Sequence, residues 1–312
     1  MTAWRAADIG DLSGRRAVVT GANGGLGFET ASELAAHGAT VVLACRSTER
    51  GEQALRRIRS VHPDADVELA KLDLADLTSI RRMANDCLDR HGALDLLVNN
   101  AGLMAIPRAV TADGFEMQFG VNHLGHFALT GLLLPAMLTR RGARVVTVSS
   151  MVAHVGRIRF DDLQGERRYQ KWTAYAQAKL ANLLFAFELD RRASAGKLGL
   201  VSVAAHPGYA ATQLQAQGPE LRGSRVGVEL ARLGNRVFAH SAAQGALPSL
   251  YGATAAGVEG GTYFGPSLLG MRGGPGKVSP PRASRDPDVA RRLWQVSEQA
   301  TGVHFGALNP SY

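Results

Sequence analysis

Cysteine is scarce in this 312-residue chain: only Cys45 and Cys87 occur, and neither sits in a CxxC or other ligand-spaced cluster. Two thiols make no disulfide framework, so a reducing compartment and no structural metal are expected. Uninterrupted apolar runs are also short. None reaches the about eighteen residues that cross a bilayer, and the N-terminal region lacks a charged head followed by an apolar stretch and a cleavage site. A cytoplasmic protein without a membrane anchor is the expectation. The third absence is concentrated charge of one sign. The formal net charge is +8, but the 35 basic residues, mostly arginine, are scattered as singles and pairs such as Arg56-Arg57 and Arg191-Arg192. Interleaved with acids, they fit solvated helix faces and offer no stripe for nucleic acid. With 46% apolar residues, a chain of this length buries a core without staples.

Short aliphatic runs alternate with longer helix-period segments from residue 16 to about residue 265. Ala17–Val19, Thr40–Leu43, Val67–Leu69, Leu94–Val98, Val145–Val148 and Leu200–Ala204 have the composition of buried parallel strands. Between them, roughly 25–37, 48–60, 76–91, 115–139 and 173–195 read as amphipathic helices. A helix near 240–254 and a strand at Gly261–Phe264 follow. The pattern predicts an α/β, single-domain doubly wound parallel sheet with helices on both faces. Residues 1–13 read as an N-terminal extension, 14–265 as the main domain, and 266–312 as a Gly/Pro-rich segment with a final helix around 287–300. Three stretches break the alternation. Residues 151–172 read as a long loop with one short helical turn, and 213–238 and 266–287 also run long, the last wandering over the surface.

The first strand leads into Thr20-Gly21-Ala22-Asn23-Gly24-Gly25-Leu26-Gly27. Glycines 21, 25 and 27 let the backbone turn sharply and approach a diphosphate, whose charge the following helix N-terminus stabilises. The TGxxxGxG spacing is one residue wider than the common dinucleotide fingerprint. The second strand ends at Ala44-Cys45-Arg46, where a carboxylate would accept from the ribose of NAD(H). Arg46 instead offers a guanidinium fork suited to a 2′-phosphate, with Ser47 beside it, which favours NADP(H). Asp73, Asn99-Asn100-Ala101-Gly102 and Ser149-Ser150 each follow a strand and would converge on one crevice. Tyr175 and Lys179 stand four apart on a helix and share a face. A nearby ammonium would lower the phenol from its free value near 10 toward the range of a general acid and base.

As a set, TGANGGLG at 20–27, NNAG at 99–102, Asn122 in VNHLGHF, Ser150 in VVTVSS, YAQAK at 175–179 and HPGYAAT at 206–212 resemble the short-chain dehydrogenase/reductases. The resemblance covers roughly residues 14–265. ACR at 44–46 and FDDLQGERRY are similar to the retinol-dehydrogenase-like and WW-domain-oxidoreductase-like branch. Membership implies a Rossmann-type fold, a nicotinamide cofactor and an Asn122-Ser150-Tyr175-Lys179 tetrad. Tyr175 would exchange a proton with the substrate oxygen while hydride passes at nicotinamide C4, and Ser150 would hydrogen-bond that oxygen. Lys179 would hold the nicotinamide ribose, and Asn122 would position a water of a proton relay. Gly21, Asn23, Gly25, Leu26 and Gly27 would cradle the diphosphate. Asp73 and Leu74 would meet the adenine, Asn99 the adenosine end, and Pro207, Gly208 and Thr212 would close over the nicotinamide.

The implied substrate is a small-molecule carbonyl or alcohol, lipophilic if Leu103, Met104, Ile106, Val152 and Val155 flank the crevice. Reduction of a carbon-carbon double bond, or a cofactor-sensing module without turnover, are alternatives. Members often pair through the helices expected here at 115–139 and 173–195, so a homo-oligomer is among the expectations. Membrane-bound retinol dehydrogenases carry an N-terminal anchor and other relatives carry WW modules, whereas about thirteen residues precede the first strand here.

Overall fold

A computed structural model describes residues 4–208, 241–268 and 270–308. Its strands are β1 (Arg16–Thr20), β2 (Thr40–Cys45), β3 (Val67–Lys71), β4 (Leu96–Asn99), β5 (Arg144–Val148), β6 (Val201–Ala205), β7 (Tyr263–Leu268) and β8 (Arg272–Lys277). They form one sheet in the order β3-β2-β1-β4-β5-β6-β7-β8. All neighbours are parallel except β7 and β8. Chain order reverses between β1 and β4, and a ligand crevice in such a sheet lies beyond the carboxyl ends of the strands at that switch.

Successive side chains of a strand point to opposite faces, and the core divides accordingly. Val18, Val42, Leu97 and Val145 pack on one face with α3 (Leu77–His91) and α5 (Gly125–Leu138). Ala17, Val19, Val41 and Leu43 pack on the other with α1 (Gly25–Ala36) and α2 (Thr48–Val61), joined by α7 (Ala242–Thr254). Because both faces are covered, the central strands β1, β2 and β4 are aliphatic along most of their length, as the sequence pattern required.

The helix expected at 115–139 is three pieces in continuous succession: α4 (Met117–Phe119), a π turn (Gly120–Leu124) and α5. The π turn closes with the amide of Gly125 donating to the carbonyl of Gly120. Among the described residues, Met117–Leu138 is long and apolar enough to span a bilayer, although no uninterrupted apolar run reaches that length. The most apolar part is 83% buried within the fold, so its hydrophobicity is spent on the core.

The first part of 266–287 is a regular hairpin where the sequence suggests a wandering segment. β7 extends to Leu268 and β8 pairs back against it, with Gly265 opposite Gly276 and Pro266 opposite Pro275. Helix α8 (Pro287–Thr301) then returns to the core, where Trp294 and Phe305 lie 4.5 Å apart between ring centres and both contact Phe127. The last two residues of the loop expected at 151–172 already belong to a helix, and residues 151–170 are irregular apart from one 3₁₀ turn at Met151–Val155. They are nevertheless pinned: the Asp162 carboxylate accepts from the amides of Glu166, Arg167 and Arg168 and pairs with Arg159 at 3.6 Å. Helix α6 (Lys171–Ala195) follows. The stretch 213–238 lies outside the described residues.

Candidate active site

A cleft of about 290 Å³ opens at the carboxyl ends of the strands, at the switch between β1 and β4. Its floor begins with the glycine turn. Gly21 has φ +68°, and a Cβ there would meet Ala101 at 3.0 Å. Gly27 does not line the cleft; a Cβ on it would meet the Gly21 carbonyl oxygen at 2.4 Å, so this position lets α1 close against the loop. Gly21, Asn23, Gly25 and Leu26 face the cleft at the N-terminus of α1, where unpaired amides favour an anion.

Arg46 and Ser47 stand at the far end, where β2 gives way to α2. Ser47 caps α2 by accepting from the Arg50 amide at 3.3 Å. Arg50, one turn after Arg46, lines the cleft as well and is a second basic group that the sequence reading does not assign. Its signal was the four-residue spacing from Arg46 at a helix start. Asp73 and Leu74 border the same end, with Asp73 Oδ1 accepting from the Ala75 amide at 2.9 Å.

Asn99 is a correction. Its side chain is buried against α5 and donates to Thr130 at 3.0 Å, so it does not reach the adenosine end. Its neighbour Asn100 lines the cleft and donates from Nδ2 to the Thr20 carbonyl at 2.8 Å.

At the opposite end, Ser150, Tyr175 and Lys179 line one wall, and Pro207 and Gly208 another. Thr212 lies outside the described residues. Helix α6 is tied to the carboxyl end of β5: Lys179 Nζ donates to the Val148 carbonyl at 3.0 Å, and the Ser149 hydroxyl donates to the Lys179 carbonyl at 2.7 Å. Burial holds Lys179 down to about 8. Tyr175 behaves differently from the sequence expectation. Burial pushes its phenol up to about 12 in the protein alone, against a smaller lowering by the Ser150 hydroxyl. The Lys179 ammonium is 5.9 Å from the Tyr175 ring centre, too far to overcome that desolvation.

Asn122 sits in the π turn, behind the cleft wall. Its Oδ1 accepts from the Leu103 amide at 2.7 Å and its Nδ2 donates to the Leu103 carbonyl at 2.9 Å. A Cβ on Gly102 would meet Asn122 Oδ1 at 2.9 Å and Lys179 Nζ at 3.5 Å, so only glycine lets these groups approach. Of the apolar residues named from sequence, Leu103 and Met104 line the cleft, whereas Val155 is exposed outside it.

A profile of the short chain dehydrogenases matches residues 15–221. The chain belongs to that family. It is 43% identical over 294 residues to retinol dehydrogenase 11 of Mus musculus, covering 94% of this chain and 88% of that protein. Retinol dehydrogenase 12 of Homo sapiens is 43% identical over 296 residues with the same coverage. Among solved structures, an uncharacterised protein from Mycobacterium Paratuberculosis is 44% identical with a TM-score of 0.81, covering 97% of this chain and 99% of its own. The chain is a retinol-dehydrogenase-like short-chain dehydrogenase, an oxidoreductase that works on alcohol or carbonyl groups with a nicotinamide cofactor.

Proposed function

We propose that this oxidoreductase uses NADP(H) and transfers hydride to or from a lipophilic carbonyl or alcohol, with Tyr175 as general acid and base. The observation that carries the reading is the pairing of two ends of one cleft: Arg46 and Arg50 at the mouth, and Ser150, Tyr175 and Lys179 at the interior. Two arginines line this end of the cleft, and the residue that follows β2 is Arg46 where an NAD(H) site would place a carboxylate, which suits a 2′-phosphate better than a bare ribose. A gluconate 5-dehydrogenase candidate from Beutenbergia cavernae, 27% identical with a TM-score of 0.62 and covering 81% of this chain and 95% of its own, was solved with bound NADP.

The residues present fit a dinucleotide. Gly21 and Gly25 bring backbone close to the cleft without a Cβ, and the N-terminus of α1 faces the space a diphosphate would fill. When bound, the nicotinamide supplies or accepts the hydride. The chain's own part is proton chemistry and orientation. A phenol at about 12 is protonated at neutral pH, the form that donates to a carbonyl oxygen during reduction. Ser150 faces the same space and donates a second hydrogen bond to that oxygen, stabilising charge as it develops. Lys179, anchored on the Val148 carbonyl, holds an ammonium beneath the phenol and favours the phenolate that oxidation requires. Leu103 and Met104 make the substrate wall apolar.

The test is a screen of aldehydes, ketones and enones against loss of NADPH absorbance, repeated with Tyr175→Phe. Turnover should fall by about two to four powers of ten in the variant while NADPH still binds. Activity within a factor of a few of wild type would reject the role given to Tyr175.

A further inference from the structure

Ala105 adopts φ +51°, a left-handed conformation that a residue with a Cβ rarely takes. It follows Leu103 and Met104, which form the cleft wall, and it is buried. Strain of this kind persists only where the surroundings over-determine it. Three side chains do so here, each gripping a different residue of the segment.

Asn122 takes both the amide and the carbonyl of Leu103. Gln118, fully buried on α4, accepts the Ala105 amide on Oε1 at 2.6 Å. Tyr169 donates to the Ile106 carbonyl at 2.9 Å. The last two are joined, because Gln118 Nε2 donates to the Tyr169 hydroxyl at 2.8 Å and to the Lys171 carbonyl at 3.0 Å. The buried Glu116 carboxylate fixes the start of α4 by accepting from the amides of Gln118 and Phe119, and lies 3.2 Å from the Tyr169 hydroxyl. The Gln118 end of this network is buried and the Tyr169 end half-buried, and a polar network in such a setting is costly to leave half made.

We propose that Gln118 and Tyr169 are positioning residues for substrate: together they clamp the 103–106 segment with Ala105 in its left-handed conformation, which sets where Leu103 and Met104 meet the substrate. Neither residue lines the cleft. The clamp ties α4 to the loop before α6 through the Gln118–Tyr169 hydrogen bond. This rests on the reading of the cleft as the active site. Its signature is selective: substrate affinity depends on the clamp, while cofactor affinity and the proton chemistry of Tyr175 do not.

Tyr169→Phe removes one oxygen and keeps the ring, so folding survives it, and Gln118→Met is the more severe variant. With decanal and NADPH, Tyr169→Phe should raise KM about three- to tenfold, the usual worth of one buried hydrogen bond, with kcat and the NADPH dissociation constant changed less than about twofold. Amide exchange at 103–106 should quicken while that of the glycine turn at 21–27 stays as in wild type. Adding Ala105→Gly to Tyr169→Phe should bring KM back toward wild type, since glycine takes the left-handed form without strain. An unchanged KM, or parallel losses in kcat and NADPH affinity, overturns the clamp. If Tyr175→Phe leaves turnover intact, the active-site reading itself falls. If Tyr175→Phe abolishes turnover while Tyr169→Phe changes neither KM nor exchange, only the clamp falls.

Discussion

The hydroxyl of Thr20, the last residue of β1, donates to Nε2 of His126 on α5 across 2.9 Å. The direction follows from the other ring nitrogen. Nδ1 faces the Asn122 carbonyl at 3.0 Å, which can only accept, so Nδ1 carries the proton and Nε2 receives one. The same threonine oxygen accepts the amides of Asn100 and Ala101 at 2.9 Å each. One buried hydroxyl thereby joins the strand leading into the glycine turn, the NNAG segment and α5, which continues directly from the π turn of Asn122.

Thr20→Val keeps the shape and removes that hydroxyl. Two amides and a ring nitrogen then lack their partner in a dry setting, so stability should drop by about 2–4 kcal/mol in urea denaturation, whereas Thr20→Ser should stay within about 1 kcal/mol. Equal stability of the Val and Ser variants would show that the hydroxyl is dispensable.

Acid should weaken the fold. Burial lowers His123 to about 3 and His126 and His206 to about 4, all below the ordinary 6.5. Between those values the unfolded chain binds protons that the folded chain refuses, so stability falls as pH drops from 6.5 toward 4. The buried carboxyls of Glu116 and Asp190, raised by desolvation, act in the opposite sense just above their ordinary values, but the histidines move further. Denaturation curves across that window should show uptake of about two to three protons on unfolding. A flat profile would contradict the burial of these imidazoles as neutral groups.

Cofactor choice is open to direct measurement. Arg46→Asp should cut the ratio of kcat/KM with NADPH to that with NADH by more than about tenfold, since it removes a charge-assisted contact and adds repulsion. Arg50→Ala should cut it by less, and both effects should shrink as salt rises. A wild type that prefers NADH, or a ratio that Arg46→Asp does not move, would leave both arginines as solvated surface.

Gly27→Ala tests the closeness of α1 to the glycine turn. The added methyl group has the Gly21 carbonyl oxygen at 2.4 Å and Asn100 Nδ2 at 2.5 Å, so the loop must shift. Cofactor affinity should fall by about tenfold or more, from distortion of the cradle alone. Titration of cofactor fluorescence checks it, and an unchanged dissociation constant would mean that the turn absorbs the methyl.

Most of the sheet could be read from the chain because parallel strands buried on both faces are short, uniformly aliphatic and spaced by helices. The antiparallel β8 could not, because RGGPGK has no strand propensity and pairs only because β7 lies beside it. The π turn was hidden for a related reason: GVNHL fits an ordinary helix, and the extra residue shows only in its hydrogen bonds. At the site, chemistry at strand ends was legible, but not which of two adjacent residues faces in. Asn99 and Asn100 alternate between faces, and only the second reaches the cleft. The direction of the Tyr175 shift depends on burial, which sequence spacing does not convey.

The β7–β8 hairpin has a bearing on how the molecule behaves in concentrated solution. A sheet that ended on β7 would offer an open row of backbone donors and acceptors next to the apolar Tyr263 and Phe264, a template for strands of other copies. β8 covers that row with a segment that makes a poor template itself. Pro275 has no amide to give, Gly273, Gly274 and Gly276 present no apolar side chains, and the segment is bounded by the charged side chains Arg272 and Lys277, the latter paired with Glu259 at 2.7 Å. The same glycines and proline that make the segment hard to read as a strand thus make it a safe place for the sheet to stop.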